Sequence, residues 1–352
     1  VLLARGLSAM AIEIMVGLPH LREGPILNRA RAMQVPTLIS ANALSRWNRR
    51  KGWPEWQGWR LDLLRNADGL SSIALDSAGF VALSRYHAYP WATEDYLDLA
   101  ASYPFRWFAS MDYCVEPEIA PDREEVRDRI SRTIRVNRDC WRGAHDRGIA
   151  HRFMPVMQGR VAHDYEICID ALGDIIDAVP LIGIGSMCRR PIGGSDGVIA
   201  IFEHLDRILG AKTMMHGFGI KGAALSKLCG LEHRVASTDS QAFGVASRIE
   251  ARQRCISKTD AFVADHMERW ARRQYARSAR ALTPIQGELP LGPDDRPPRD
   301  PWERAIAQAR AEIRTLIEEG QLSHDEISEP WIAQWAADLF QAEPLISAGI
   351  SQ

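Results

Sequence analysis

Two rhythms of apolar and polar residues alternate along the chain. Short β-like runs recur at 12–18, 36–40, 73–76, 106–112, 152–158, 181–186, 212–217 and 234–239, most of them ending at a polar or glycine-rich corner. Between them apolar residues fall three and four apart among charges, most clearly over 124–145 and again over 165–178 and 198–209, which predicts helices. Strand candidates joined mainly by helices predict an α/β fold, a (β/α)8 TIM barrel, with a doubly wound open sheet as the alternative because periodicity does not show closure. The barrel is preferred because residues able to do chemistry gather at the strand C-terminal ends, where barrel enzymes keep their active sites.

Residues 44–60 break this rhythm. Trp47, Trp53, Trp56 and Trp59 are interleaved with Arg46, Arg49, Arg50, Lys51 and Arg60. Cationic and flat aromatic side chains together suit a nucleic-acid surface, through phosphate attraction and base stacking. On that reading Arg46, Trp47, Arg49, Arg50 and Lys51 are candidate contacts. The plainer reading is an inserted loop held down by its own tryptophans.

After residue 239 a long helical pattern runs over 242–281, and then prolines at 284, 290, 293, 297, 298 and 301 interrupt it. Two short helices are expected at 301–319 and 330–342, with a turn at Gly320. The expected organisation is therefore a barrel over 1–281 carrying the Trp/Arg-rich loop, a Pro-rich linker over 282–301, and a C-terminal helical extension over 302–352. Within the linker, Gln286-Gly287-Glu288-Leu289-Pro290-Leu291 resembles the short Gln-x-x-Leu-x-Leu peptide that binds bacterial sliding clamps; a plain linker is the other reading of the same residues.

Composition narrows this little. With 352 residues, 46% hydrophobic and 25% charged, the chain reads as globular, and its net charge of -2 announces no nucleic-acid partner. Six scattered cysteines without a C-x-x-C spacing suggest reduced thiols and a cytoplasmic setting. Arg5 and Glu13 interrupt the apolar N-terminal stretch, so no membrane span is expected.

The strand ends carry the candidate chemistry. Asp76 closes the run Ile73-Ala74-Leu75 and is followed by Ser77, Ala78, Gly79 and Phe80. Asp112 closes the next run, and Gln158 the one after. Gly183-Ile184-Gly185-Ser186 and His216-Gly217-Phe218-Gly219 supply small-residue corners, and Asp239-Ser240 ends the last strand. An acid at a strand end is most often a loop or helix cap. In a barrel, however, all six positions converge on one pocket. Three carboxylates and an amide without a lysine or a His-rich cage give no metal site. Two carboxylates suit chemistry at an acetal-like carbon such as a nucleoside C1′, one attacking and the other moving a proton.

The order of these motifs resembles the tRNA-guanine transglycosylase superfamily, whose fold is a (β/α)8 barrel. Asp76-Ser77-Ala78-Gly79-Phe80 looks like the Asp-Ser-Gly-Gly-aromatic motif, in which the acid handles a proton on the base and the aromatic stacks on it. Asp112-Tyr113-Cys114 looks like the Asp-Glu-Cys motif that binds the guanine edge, and Gln158-Gly159 the Gln-Gly that also contacts the base. Gly183 and Gly185 match a glycine corner facing the base. His216-Gly217 stands in the place of a base-stacking Met-Gly. Asp239-Ser240 matches the nucleophile that forms a covalent intermediate at the ribose. The resemblance therefore implies catalytic Asp76 and Asp239, and base binding by Ser77, Phe80, Asp112, Cys114, Gln158, Gly183, Gly185, His216 and Gly217.

Two departures favour one branch. The tRNA enzymes carry a Cys-x-Cys-x-x-Cys and His zinc site, and only Cys255 and His266 lie in that region here, so no zinc or other cofactor is expected. The segment before Asp76 and the run Ser186-Met187-Cys188-Arg189-Arg190 look more like the enzymes of bacterial and bacteriophage DNA that insert 7-deazaguanines such as preQ0. Arg189 and Arg190 join the expected nucleic-acid contacts. The implied partners are double-stranded DNA with a flipped guanine, a 7-deazaguanine co-substrate, and a modification-cluster or sliding-clamp protein. A tRNA enzyme, a hydrolase that only removes the base, and a non-catalytic nucleic-acid-binding barrel are the alternatives.

Overall fold

The computed structural model describes residues 12–48, 54–228, 230–280, 301–318 and 327–342. Among them eleven strands occur: β1 (Glu13–Leu18), β2 (Pro36–Ser40), β3 (Ser45–Asn48), β4 (Glu55–Trp59), β5 (Ser72–Asp76), β6 (Phe108–Ala109), β7 (Phe153–Met154), β8 (Val156–Met157), β9 (Leu181–Ile184), β10 (Met214–Gly217) and β11 (Val235–Ser240). Nine of these form one parallel sheet in the order β7-β6-β5-β2-β1-β11-β10-β9-β8.

The two ends of that sheet meet. β7 and β8 are separated only by Pro155, which has no N–H to place in a ladder. They are two halves of one extended segment, one paired with β6 and the other with β9. Ser110 N donates to Met154 O and Gly183 N to Pro155 O, each at 2.8 Å, so the segment bonds on both sides and closes the ring. The outcome is the expected eight-segment barrel.

Helices cover the outside: α1 (Pro25–Met33), α2 (Gly79–Tyr86), α3 (Thr93–Ala101), α4 (Arg123–Asp146), α5 (Ala162–Ala171), α6 (Gly173–Ile176), α7 (Val198–Ile208), α8 (Leu225–Leu228), α9 (Ala242–Gln253), α10 (Asp260–Arg280), α11 (Pro301–Glu318) and α12 (Glu329–Ala342). The 24-residue α4 shows why the pattern reads as helix. Asp122 caps it, accepting from Glu124 N and Glu125 N, and Val126, Ile130, Thr133, Val136, Asn137, Cys140 and Ala144 form its buried stripe.

Strands covered on both faces need apolar residues on both. Inside the ring Met15, Leu38, Ala74, Trp107, Ala109, Met154 and Val156 form a plug, with Phe218 packed against it. Outside it, Ile14, Val16, Ile39, Leu75 and Ile182 belong to the larger cluster under the helices.

Three expectations about elements are corrected. Only Phe108–Ala109 of the 106–112 run pairs as strand, with Ser110 N making the last ladder bond, so Met111 and Asp112 have left the ladder. The helix expected over 242–281 is two, broken after α9 where Cys255 takes a left-handed φ of 51°. The Trp/Arg-rich stretch is an antiparallel hairpin of β3 and β4. Its indoles pack locally, Trp56 edge-on to Trp59 and Trp59 against Trp91, and the Trp59 indole donates to Asp95 O at 2.7 Å. Residues 49–53 lie outside the described residues.

α11 and α12 share a small core of their own, built on Ala309, Ile313, Leu316, Trp335 and Leu339. They also reach the barrel: Trp335 lies under Lys221, whose Nζ is 4.0 Å from the ring centroid, and Asp338 sits 3.6 Å from Arg160. The clamp-like peptide at 286–291, nearly all of the Pro-rich linker and Gly320 lie outside the described residues. No helix among the described residues is long and apolar enough to cross a membrane.

Candidate active site

A cavity of about 400 Å³ opens at the C-terminal ends of the strands, and Asp76, Asp112, Gln158 and Asp239 all line it. β5 delivers Asp76. The chain then turns sharply at Ala78, in the left-handed region at φ 69°, which brings the Ala78 N–H back to within 3.1 Å of Asp76 Oδ2. Gly79 follows because nothing larger fits: a Cβ there would lie 2.6 Å from Asp112 Oδ1 and 2.8 Å from the Tyr89 hydroxyl. Burial, and then the charges of Asp112 and Asp239, push the Asp76 carboxyl up to about 7, and the Ala78 N–H opposes the shift.

Asp112 is held by a hydrogen-bond chain. Its Oδ1 accepts from Ser77 Oγ at 2.9 Å, its backbone N–H donates to the Tyr89 hydroxyl at 3.0 Å, and its Oδ2 accepts from Gln158 Nε2. Ser186 Oγ accepts from Val115 N–H at 2.7 Å, which leaves its own proton for Gln158 Oε1 and turns the Gln158 amino group toward Asp112. Gly185 makes room for this, because a Cβ there would be 2.1 Å from Gln158 Nε2. Burial pushes Asp112 up to about 6, with Ser77, Gln158 and Tyr89 opposing.

Asp239, at the end of β11, has a different setting. Its Oδ1 accepts from Gly219 N–H at 2.9 Å, and the left-handed φ of 63° at Gly219 turns that N–H inward. His216 Nε2 lies 3.4 Å behind the same oxygen, while its Nδ1 meets Ser237 Oγ at 2.8 Å.

Residues 38–287 match the family model described as DpdA, DeoxyPurine in DNA protein A, over more than two thirds of the chain. The chain belongs to the DpdA family. This is the DNA 7-deazaguanine transglycosylase family, related to the tRNA-guanine transglycosylases. A search of curated proteins returns no match.

Against this family the placement of each expected residue can be read. Phe80, 43% exposed, lines the cavity mouth, and Cys114 lines its wall. Burial, and then Glu116, hold the Cys114 thiol well above its ordinary range, so it is a neutral wall. Ser77 stands behind Asp112. Gly183 and Gly217 serve packing instead: Cβ atoms there would meet Phe218 Cε2 at 2.6 Å and Ile220 Cδ1 at 2.2 Å.

His216 is a correction. It is fully buried under the cavity, between Trp107 and Phe218, with ring centroids 4.9 and 4.6 Å away, because β10 points it into the barrel plug. Phe218, two residues on, lines the cavity. Arg190 is a second correction. It is fully buried and donates to the carbonyls of Gly159, Arg160, Ser186 and Asp196, so it ties loops together and offers nothing to phosphate. Arg189 lies 5.4 Å over the Phe80 ring, ion-paired with Glu118, and lines the cavity. Arg46 is exposed, whereas Trp47 stacks on Tyr86 at 4.6 Å and so presents less than a free face; Arg49, Arg50 and Lys51 lie outside the described residues.

Sequence reasoning missed Tyr89, Ser186, Phe218, Glu116 and Lys221. Phe218 was legible only as a member of the same glycine corner as His216, with no mark of which ring faces the cavity. Tyr89 was not, because nothing in the loop after α2 marks it. Among the described residues no three His, Cys, Asp or Glu side chains are grouped to hold a metal ion.

Proposed function

We propose that the protein exchanges guanine in DNA for a 7-deazaguanine such as preQ0, through a covalent bond between Asp239 and C1′. The observation that carries this reading is the convergence of Asp76, Asp112, Asp239 and Gln158 on one cavity, with Asp76 held near neutrality and Asp112 tied to Gln158. A flipped guanine, extruded at a cost of a few kcal/mol, presents its Watson–Crick edge to Asp112 and Gln158. Phe80 and Phe218 offer aromatic walls.

The Asp239 carboxylate attacks C1′; a C–O bond forms as the C1′–N9 bond breaks, and the base leaves with the electron pair. Protonated Asp76 gives it the proton it needs and becomes a carboxylate. A 7-deazaguanine then enters. Asp76 takes its N9 proton, N9 attacks C1′, and Asp239 departs, which restores both carboxyl groups. An acid that titrates near 7 suits a group that both gives and takes a proton in one cycle. His216 and the Gly219 N–H position Asp239 from behind.

The test is incubation of the purified full chain with labelled preQ0 and either duplex DNA or tRNA. Label in DNA with matching release of guanine is expected. Abasic sites without uptake would make the protein a hydrolase, and label in tRNA alone would move it to the RNA branch.

A further inference from the structure

The cavity has a side that the base-exchange chemistry does not use. Glu116 lines it with only 6% of its surface exposed, and its Oε2 is buried without a hydrogen-bond partner. Facing it at 3.6 Å is Arg189 Nε, also buried and also without a hydrogen bond, because the terminal nitrogens of Arg189 are taken up by Glu118. An acceptor and a donor thus sit side by side, too far apart to bond well to each other. Lys221, 2% exposed, stands on the same wall, fixed by Arg190 O at 2.9 Å and by the Trp335 ring from the C-terminal extension.

The order of residues around the cavity says which part of a bound base meets this wall. Going round a guanine ring from the glycosidic nitrogen, the amino group and N1 come first, then O6, then position 7. The strand order sets the order of residues round the cavity: Asp239 on β11 and, past β1 and β2, Asp76 on β5 are followed by Asp112 after β6, Gln158 after β8, and then Ser186 and Met187-Cys188-Arg189 after β9. With N1 on Asp112 and O6 on Gln158, position 7 points at Arg189 and Glu116.

We infer that Glu116 and Arg189 form a subsite for a polar substituent at position 7 of the incoming base, one that gives a hydrogen bond to Glu116 Oε2 and accepts one from Arg189 Nε. A carboxamide does both, a nitrile only accepts, and a hydrogen does neither. Leaving a buried donor and acceptor unpaired is costly, so an unsubstituted 7-deazaguanine is disfavoured in proportion. This rests on the base-exchange reading, since it takes the base to be bound through Asp112 and Gln158.

Equilibrium binding of the free bases to the full chain tests the subsite without DNA or turnover. The expected result is that 7-carboxamide-7-deazaguanine binds about tenfold or more tighter than 7-deazaguanine, with the 7-cyano base between them. In Glu116→Gln the gap between carboxamide and unsubstituted base should shrink about tenfold, and the same ratio should shrink in kcat/KM for incorporation into DNA. Equal affinities in the unaltered protein, or an unchanged ratio in a folded Glu116→Gln variant, would overturn the subsite. Preferential binding with no incorporation into DNA would instead overturn the base-exchange reading and leave the subsite standing.

Discussion

The ends of β5 and β11 look alike in sequence and differ in surroundings. Each strand runs into Asp-Ser at its C-terminal end, and each is followed by a helix, α2 or α9. At β5 the carboxyl of Asp76 is partly buried beside two other acids and meets one backbone N–H, so its proton is held up to about 7. At β11 the carboxyl of Asp239 accepts the Gly219 N–H and has His216 behind it. Two chemically identical side chains thus sit in different surroundings, and on the proposed reading those surroundings, rather than the side chains themselves, make one a proton carrier and the other an attacking group.

The most severe way to break this comparison is to remove the nucleophile. Asp239→Ala is expected to lower base exchange by at least about 10³-fold and to abolish any DNA adduct on a denaturing gel. Exchange at the unaltered rate would reassign the residue. Asp76→Asn should separate the two acids: the adduct still forms, though more slowly because the leaving guanine has lost its proton donor, while release by an incoming base slows by about 10²–10³-fold in single-turnover measurements. Complete loss of the adduct, as expected for Asp239→Ala, would argue against different roles.

The raised Asp76 carboxyl gives a pH signature. Uptake of the incoming base by a preformed adduct should rise about tenfold per pH unit and level somewhat below the value of about 7 held in the free protein, because Asp76 must be ionised to take the N9 proton and the adduct has removed the Asp239 charge that helps to raise it. Stability should move the other way. The folded chain holds the Asp76 proton more tightly than the unfolded one, so this group's contribution is present below the ordinary value of 3.8 and is lost as pH rises to about 7. Asp76→Asn should therefore stabilise the fold by about 3–4 kcal/mol more at pH 8 than at pH 4 in denaturant melts.

Much of this was legible in the chain. The eight runs and their helical spacing gave the barrel, and Asp76, Asp112, Gln158 and Asp239, each at the polar end of a β-like run, line one cavity, although Asp112 lies three residues beyond its strand. What stayed hidden was orientation. Whether His216 or Phe218 faces the cavity depends on the pleat of β10 and on the short turn after it, and two adjacent aromatic rings in a glycine corner carry no mark of which points inward. Arg190 read as a phosphate ligand because charge is visible in sequence, whereas the loop carbonyls it ties together are a tertiary property. Phe218→Ala is expected to raise the KM for the incoming base about tenfold, while His216→Leu, which cannot bond to Ser237, should lower kcat and leave that KM within about twofold.

The smallest effect concerns the turn after β5. Ala78 adopts a left-handed φ of 69° that alanine dislikes. Ala78→Gly should raise the unfolding free energy by about 1 kcal/mol. A destabilised variant would show that the alanine methyl, which is buried, contributes more packing than the backbone conformation costs.

The central claim is that Asp239, and not Asp76, bonds to the sugar. Peptide mapping of the unaltered protein after denaturation on duplex DNA, in the absence of an incoming base, reads this directly. A deoxyribose adduct on the peptide carrying Asp239 is the predicted result; an adduct on the peptide carrying Asp76, or none while exchange proceeds, would contradict it.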